Sequence, residues 1–86
     1  MLNLDKFGRM ERRILNVLMD GLIHSPEYII SECMDPLSEV ATVYTHIANI
    51  RKKLKGTGLL VNFVKGGGRR RAGNGYMLTR SLHHKE

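Results

Sequence analysis

The chain of 86 residues has no tryptophan, only two phenylalanines and three tyrosines. A hydrophobic core must therefore be built mainly from leucine, isoleucine, valine and methionine. Cys33 is the only cysteine, which excludes an internal disulfide and a zinc site built from several thiolates. A single thiol fits a reducing, intracellular setting.

Long apolar runs are also absent. No stretch approaches the roughly 18 apolar residues of a membrane span, and the N-terminal sequence MLNLDKFGRMERR lacks the apolar segment of a signal peptide. A cytoplasmic protein with no membrane partner is expected. No Ser-His-Asp pattern, Walker loop or carboxylate pair stands out, so neither enzyme activity nor a cofactor, metal or small-molecule ligand is expected.

Acidic residues are scarce in the second half of the chain. Residues 1–40 hold four basic and seven acidic groups, a net charge of −3, whereas residues 41–86 hold ten basic groups and one acid, a net charge of +9. Such asymmetry within one small domain indicates a nucleic-acid-binding surface. The alternative is solubility charge that clusters by chance.

The first half of the chain predicts two helices. Apolar residues recur at helical spacing over residues 7–18, with Asp5 as the candidate N-terminal cap. The second helix is expected to begin at Ser25, whose side chain can accept from free backbone amides. Pro26 follows, where no N–H is needed, and Asp35 marks the stop.

A third helix is expected over about residues 38–55, with Ser38 as its cap. Its apolar residues recur in steps of three and four, at Val40, Val43, Ile47, Ile50 and Leu54. This spacing is typical of a buried stripe. Three lysines occupy the last turn, where positive charge offsets the helix dipole.

The pattern then changes to that of strands. Residues 59–65 (LLVNFVK) and residues 75–80 (GYMLTR) are rich in branched and aromatic side chains and flanked by glycine. The predicted fold class is α+β: a winged helix-turn-helix of three helices followed by a C-terminal β-hairpin wing. One domain is expected over residues 1–80, with the wing at about 59–80 and a frayed tail at 81–86.

The third helix and the hairpin carry a specific resemblance. VATVYTHIANIRKKL resembles the recognition helix of the OmpR/PhoB family of bacterial response-regulator DNA-binding domains, which reads roughly Val-Asp-Val-His-Ile-x-x-Leu-Arg-x-Lys-Leu. The matching residues are Val43, His46, Ile47, Ile50, Arg51, Lys53 and Leu54. Val64-Lys65-Gly66 and Gly75-Tyr76 are similar to the family's Val-Arg-Gly and Gly-Tyr strand motifs. The resemblance implies a winged helix that binds duplex DNA.

This chain also differs from that family's pattern. Its 86 residues leave no room for the receiver domain, so a stand-alone DNA-binding domain is expected. The connection between the second and third helices is short, which argues against the RNA polymerase contact that this loop can make in the family. The loop of the wing is longer and more basic than the family's usual short turn.

Helical geometry selects the outward-facing residues of the third helix. At about 100° per residue, an inward stripe leaves Ala41, Thr45, Ala48, Asn49 and Lys52 pointing outward. An asparagine can pair with adenine and a threonine methyl can touch the thymine methyl, so Asn49 and Thr45 are predicted base readers. By resemblance, the family's DNA-contacting positions fall on Thr42, Thr45, His46, Ala48, Asn49 and Arg51.

The full set of DNA-binding residues predicted on the third helix is Thr42, Tyr44, Thr45, His46, Asn49, Arg51, Lys52 and Lys53. The alternative is a solvated helix face, with lysines that serve only the helix terminus. In the wing, Arg69, Arg70 and Arg71 lie within GGGRRRAGNG and are predicted to enter the minor groove. Lys65 and Tyr76 are predicted to hold phosphates at its base, and the alternative is a solvated loop.

The function that these features favour is sequence-specific binding of double-stranded DNA by a small transcriptional regulator associated with the nucleoid. A single domain offers a small interface, so a homodimer or tandem copies on DNA are expected. A second hypothesis is an architectural or recombination accessory protein that reads few bases. A third is a basic protein-interaction module that docks an acidic partner.

Overall fold

The computed structural model describes residues 4–65 and 74–80. Its elements in chain order are a 3-10 turn at Leu4–Lys6, α1 at Arg9–Leu18, α2 at Pro26–Cys33, α3 at Val40–Leu54, β1 at Leu59–Val64 and β2 at Gly75–Arg80. This order confirms the predicted three helices followed by a hairpin. None of the described helices is long and apolar enough to cross a membrane.

The start of α1 differs from the prediction. Asp5 lies in the 3-10 turn, whereas Gly8 occupies the N-cap position of α1. The Glu11 carboxylate accepts from the backbone N–H of Gly8 at 2.9 Å. The Phe7 side chain, between the 3-10 turn and Gly8, is buried, so the chain reaches the core before α1 begins. The prediction that Asp5 caps α1 is therefore wrong.

The start of α2 agrees with the prediction, and that of α3 is shifted. Ser25 caps α2, because its Oγ accepts from the backbone N–H of Tyr28 at 3.0 Å. The N-cap of α3 is Glu39, with no side-chain capping bond, so Ser38 is not its cap and α3 begins two residues later than expected. The sequence offers polar residues at both positions, so composition alone does not choose between them.

The core lies between the three helices and the inner face of the hairpin. Its buried residues are Phe7, Ile14, Leu15, Leu18, Ile29, Ile30, Cys33, Val43, Ile47, Ile50, Leu54, Val61 and Tyr76. The α3 stripe expected from its spacing is buried, except for the half-buried Val40. Each fully buried aliphatic side chain contributes about 1.5–3 kcal/mol, so this stripe fixes which side of α3 faces solvent.

The two-stranded hairpin pairs at one position with a third segment, the link between α1 and α2. β1 and β2 are antiparallel, with Leu59 opposite Arg80 and Val64 opposite Gly75. The link between α1 and α2 pairs with the other edge of β2 at one position. There the His24 N–H donates to the Tyr76 carbonyl at 2.9 Å, and the Tyr76 N–H donates to the His24 carbonyl at 2.8 Å. These two bonds anchor the wing to the helical part of the domain.

Close approach at this anchor generates a prediction. A Cβ on Gly75 would lie 2.6 Å from the His24 carbonyl oxygen and 2.7 Å from Ile23 Cγ2. We expect Gly75→Ala to lower the free energy of unfolding by about 2 kcal/mol, since overpacking forces the backbone to shift. Urea denaturation measures this change.

The control for this variant is Gly8→Ala. A Cβ on Gly8 would meet nothing closer than Glu11 Oε1 at 3.8 Å, and a poorer N-cap costs about 1 kcal/mol or less in this case. Equal losses in the two variants would contradict the close-approach argument.

Candidate nucleic-acid interface

The exposed face of α3 is polar and separate from the core stripe. Ala41, Thr42, Tyr44, Thr45, Ala48, Arg51 and Lys52 are exposed, and His46, Asn49 and Lys53 are half-buried. The structure therefore brings the residues predicted on this helix together on one side of the domain. Whether they contact DNA stays a prediction.

Three of these side chains are available on the surface. Thr42, Asn49 and Lys52 form no side-chain hydrogen bond or ion pair with any residue in ranges 4–65 and 74–80. The Thr45 hydroxyl donates to the Ala41 carbonyl at 3.2 Å, a local bond that leaves an apolar contact with thymine unaffected. The face thus offers an amide, an ammonium and two threonines whose binding capacity the fold uses little.

One flank of α3 packs against the start of α1. The Lys53 ammonium donates to Glu11 Oε1 at 2.7 Å, and it lies 5.9 Å from the centre of the Phe7 ring. The Glu11 side chain is 10% exposed, and the Lys53 side chain 36%. The expected phosphate contact of Lys53 therefore competes with an ion pair that crosses from α3 to α1.

The pKa of Glu11 reflects this environment. Burial acts to raise it, but hydrogen bonds from the Lys53 ammonium and the Gly8 amide, with the nearby positive charges of Lys53 and His46, outweigh burial and lower it. The carboxylate is thus ionised at neutral pH. It holds the cap of α1 and the flank of α3 at the same time.

His46 lies on the same flank of α3. Its Nδ1 atom is buried and has no hydrogen-bond partner among the described residues. A buried ring nitrogen cannot reach DNA, so the predicted phosphate contact of His46 would have to come from Nε2.

The opposite flank of α3 packs against the hairpin. The Arg51 Nε–H donates to the Val61 carbonyl at 3.0 Å, and the Arg51 guanidinium lies 5.8 Å from the centre of the Tyr76 ring. Tyr44 and Phe63 meet the same ring edge-on, with ring centres at 6.4 Å and 5.2 Å. Sequence reasoning missed Phe63, although its position opposite Tyr76 in the hairpin was a usable signal.

Tyr76 therefore occupies a different setting from the one expected. It is 6% exposed, and burial raises the pKa of its phenol. This burial favours a packing role at the base of the wing, and its predicted phosphate contact remains untested. Lys65 is exposed directly after β1, as a phosphate contact requires. Arg69, Arg70 and Arg71 lie outside the described residues.

The acidic half of the chain contains one small polar cluster. His24 Nε2 lies 3.0 Å from both Asp20 carboxylate oxygens, and its ring stacks on Tyr28 at 4.9 Å. The Leu22 amide, followed by His24, lowers the pKa of Asp20. Among the described residues, no group of three or more histidine, cysteine or acidic side chains is placed to hold a metal ion.

The fold is similar to that of the DNA-binding domain of the response regulator AdeR, whose crystal structure contains that domain in complex with an intercistronic region. The TM-score is 0.63 at 22% identity, over 86% of this chain and 75% of that chain. At this identity the likeness shows the winged-helix fold alone, and membership of the OmpR/PhoB family stays a prediction. No protein-family model and no curated protein matches the sequence.

The ion pair beneath α3 generates a prediction. We expect Glu11→Gln to lower the free energy of unfolding by about 1–2 kcal/mol at pH 7. A charged hydrogen bond contributes about 1.5–3 kcal/mol, and solvent around the partly exposed Lys53 ammonium reduces that contribution. The folded pKa of Glu11 lies below its ordinary value of 4.5. The ionised carboxylate therefore contributes fully to the free energy of unfolding above pH 4.5. That contribution is lost as the pH falls through the lower pKa of the folded state.

Urea titrations at several pH values measure both effects. The variant should lose stability at pH 7 and show a shallower decline in acid than the native chain. Glu32→Gln is the matched control, because Glu32 is exposed and forms no ion pair with a described residue. If stability declined in acid equally for the native chain and for Glu11→Gln, the stabilising role of this pair would be contradicted.

Proposed function

We propose that this protein binds duplex DNA sequence-specifically as a small transcriptional regulator. The third helix enters the major groove, and the arginine-rich loop of the wing enters the minor groove. The observation that carries the proposal is the polar face of α3, where Thr42, Thr45, Asn49 and Lys52 face away from the core. The similarity in fold to a domain crystallised with an intercistronic region supports it.

The face of α3 suits the floor of a major groove. Ala41 and Ala48 are small and exposed, so the helix can approach closely. The amide of Asn49 can accept from N6 and donate to N7 of one adenine, and the Thr45 methyl can meet a thymine methyl. A good bidentate pair discriminates against the wrong base by about 1–3 kcal/mol, so a few such residues suffice to prefer one site.

Phosphate contacts supply most of the affinity in this account. Lys52 and Lys65 are exposed and unpaired within the described residues, and the half-buried His46 lies on one flank of α3. Tyr44 is 50% exposed at the edge of the helix face. These groups lie within the half of the chain whose net charge is +9, which draws a polyanion to this side of the domain.

The wing supplies the second part of the interface. β1 contacts α3 at Val61 and β2 contacts it at Tyr76, and the three arginines follow β1 in the sequence. Arginine side chains are favoured in narrow minor grooves because the negative potential is strongest there. A cytoplasmic, nucleoid-associated binding protein that acts as a homodimer or in tandem copies completes the proposal, since one such domain covers little DNA.

Selection from a random duplex library tests this function directly. The purified protein is expected to enrich one motif, whose symmetry distinguishes a dimer from tandem copies. Asn49→Ala should lose the preference at one adenine-containing position, because the bidentate amide is gone. Sequencing of the bound pools measures both outcomes.

Asn16→Ala is the control for that selection, because Asn16 is exposed on α1. It should recover the native motif. An unchanged motif with Asn49→Ala would remove Asn49 from the interface. Binding without any motif would favour the architectural hypothesis, and no binding would favour a basic surface that docks an acidic protein.

The contribution of the wing is measured by salt dependence. Each phosphate that a basic group neutralises adds about 0.9 to the slope of log affinity against log salt concentration. Replacing Arg69, Arg70 and Arg71 with alanine should therefore flatten the slope by about 2–3 if all three hold phosphates or line the minor groove. Fluorescence anisotropy with a fixed duplex at several salt concentrations gives the slope, and an unchanged slope would exclude the wing from the interface.

A further inference from the structure

Among the described residues, one hydrogen bond joins α3 to the hairpin. The Arg51 Nε–H donates to the Val61 carbonyl oxygen at 3.0 Å. The same guanidinium lies over the Tyr76 ring, with Cζ 5.8 Å from the ring centre. Val61 belongs to β1 and Tyr76 to β2, so a single side chain of α3 contacts both strands of the hairpin.

The register of the hairpin shows why the Val61 carbonyl needs this partner. Both the N–H and the carbonyl of Tyr76 bond to His24, so Tyr76 makes no ladder bonds with Phe63 opposite it. Bonded and non-bonded pairs alternate along an antiparallel ladder. The pair Val61–Leu78 is therefore also non-bonded, and the Val61 carbonyl points away from β2 toward the outer edge of β1.

That outer edge has no neighbouring strand among the described residues. An unpaired backbone carbonyl that is partly shielded from water carries a free-energy cost. Arg51 removes that cost by donating from the side of α3. The contact fixes β1 at one height along the helix, because a hydrogen bond requires both the distance and the angle to be right.

Two further contacts, both made by Tyr76 of β2, restrain the position of the hairpin relative to the helices. Tyr44, also on α3, meets the Tyr76 ring edge-on with centres 6.4 Å apart. Tyr76 is held from its other side by the backbone pairing with His24. The position of the hairpin relative to α3 is thus defined by a small cluster, of which Arg51 is the charged and exposed member.

We infer that Arg51 is a positioning residue, which fixes the wing to α3 so that helix and hairpin meet DNA as one rigid surface. The inference rests on the proposed function. It differs from the role that the family resemblance implies for Arg51, a direct contact with DNA. Base reading falls to Thr42, Thr45 and Asn49, and the preset geometry avoids part of the ordering cost of binding.

A matched pair of variants separates positioning from direct contact. In glutamine, Nε2 is the same number of bonds from Cα as Nε in arginine, so Arg51→Gln keeps a donor for the Val61 carbonyl. Arg51→Met has similar length but no donor. Both variants lose the positive charge and the forked guanidinium. The glutamine amide can still donate to DNA, so the gain that an amide makes over methionine by direct contact has to be measured at a second position of α3.

The first measurement uses the free protein. Amide ¹⁵N relaxation compares the order of β1 and β2 with that of α3 in the native chain and in both variants. We expect the hairpin to stay as ordered as α3 in Arg51→Gln and to gain motion in Arg51→Met. Arg51→Leu, which favours helix and also lacks a donor, serves as the second variant if Arg51→Met unfolds.

The second measurement is the affinity for a single duplex. Its sequence is taken from the selected pool, or is an arbitrary sequence if no motif is selected. Arg51→Met should bind about five- to tenfold more weakly than Arg51→Gln, the ratio expected from one hydrogen bond. Lys52→Gln and Lys52→Met are the controls. Lys52 contacts no described residue, so the affinity ratio of this pair measures what an amide gains from DNA alone, and the ratio of the Arg51 pair should exceed it.

The outcomes are distinct. If the affinities of Arg51→Gln and Arg51→Met differ no more than those of the Lys52 pair, and both keep an ordered hairpin, Arg51 contacts DNA directly and the inference is wrong. If the native chain binds no duplex, the proposed function fails, and the relaxation data alone decide the positioning role. Equal hairpin order in the native chain and in Arg51→Met overturns that role with or without DNA.

Discussion

The burial of one stripe of α3 is the constraint on which the rest of the structure depends. Val43, Ile47, Ile50 and Leu54 are all within 2% of full burial, and they pack against α1, α2 and the hairpin. Because a helix has one rotation that buries such a stripe, the opposite side has to face solvent. The polar surface proposed to read DNA is therefore a consequence of the core.

Contacts on the two flanks of α3 then fix the elements beside that surface, α1 and the hairpin. On one flank, the pair of Glu11 and Lys53 joins α3 to the capped start of α1. On the other flank, Arg51 and Tyr44 join α3 to the hairpin. Each contact uses a basic or aromatic side chain that, from composition alone, would be counted toward nucleic-acid binding. The exposed basic groups of this half without an ion pair among the described residues then include Lys52 on the outer face and Lys65 after β1.

The sequence predicts the fold well because its signals are local. The change from helical to strand spacing near residue 59 and the Ser25-Pro26 start of α2 both depend on neighbours in the chain, and both are confirmed. Contacts between distant residues are not predictable in this way. Glu11 and Lys53 are 42 positions apart, and a buried acid looks like any surface acid in the sequence. The burial of Tyr76 likewise depends on its pairing with His24 across the domain.

Chemical-shift mapping with ¹⁵N-labelled protein and a duplex of mixed sequence tests the central claim most directly. The account predicts that amide signals shift or broaden along the exposed face of α3, at Thr42, Thr45, Asn49 and Lys52, and at Lys65 after β1. The amide signals of α2, whose exposed groups include Glu27 and Glu32, should not shift or broaden. Perturbations confined to α1 and α2, or none at duplex concentrations well above those of ordinary non-specific binding, would contradict the account.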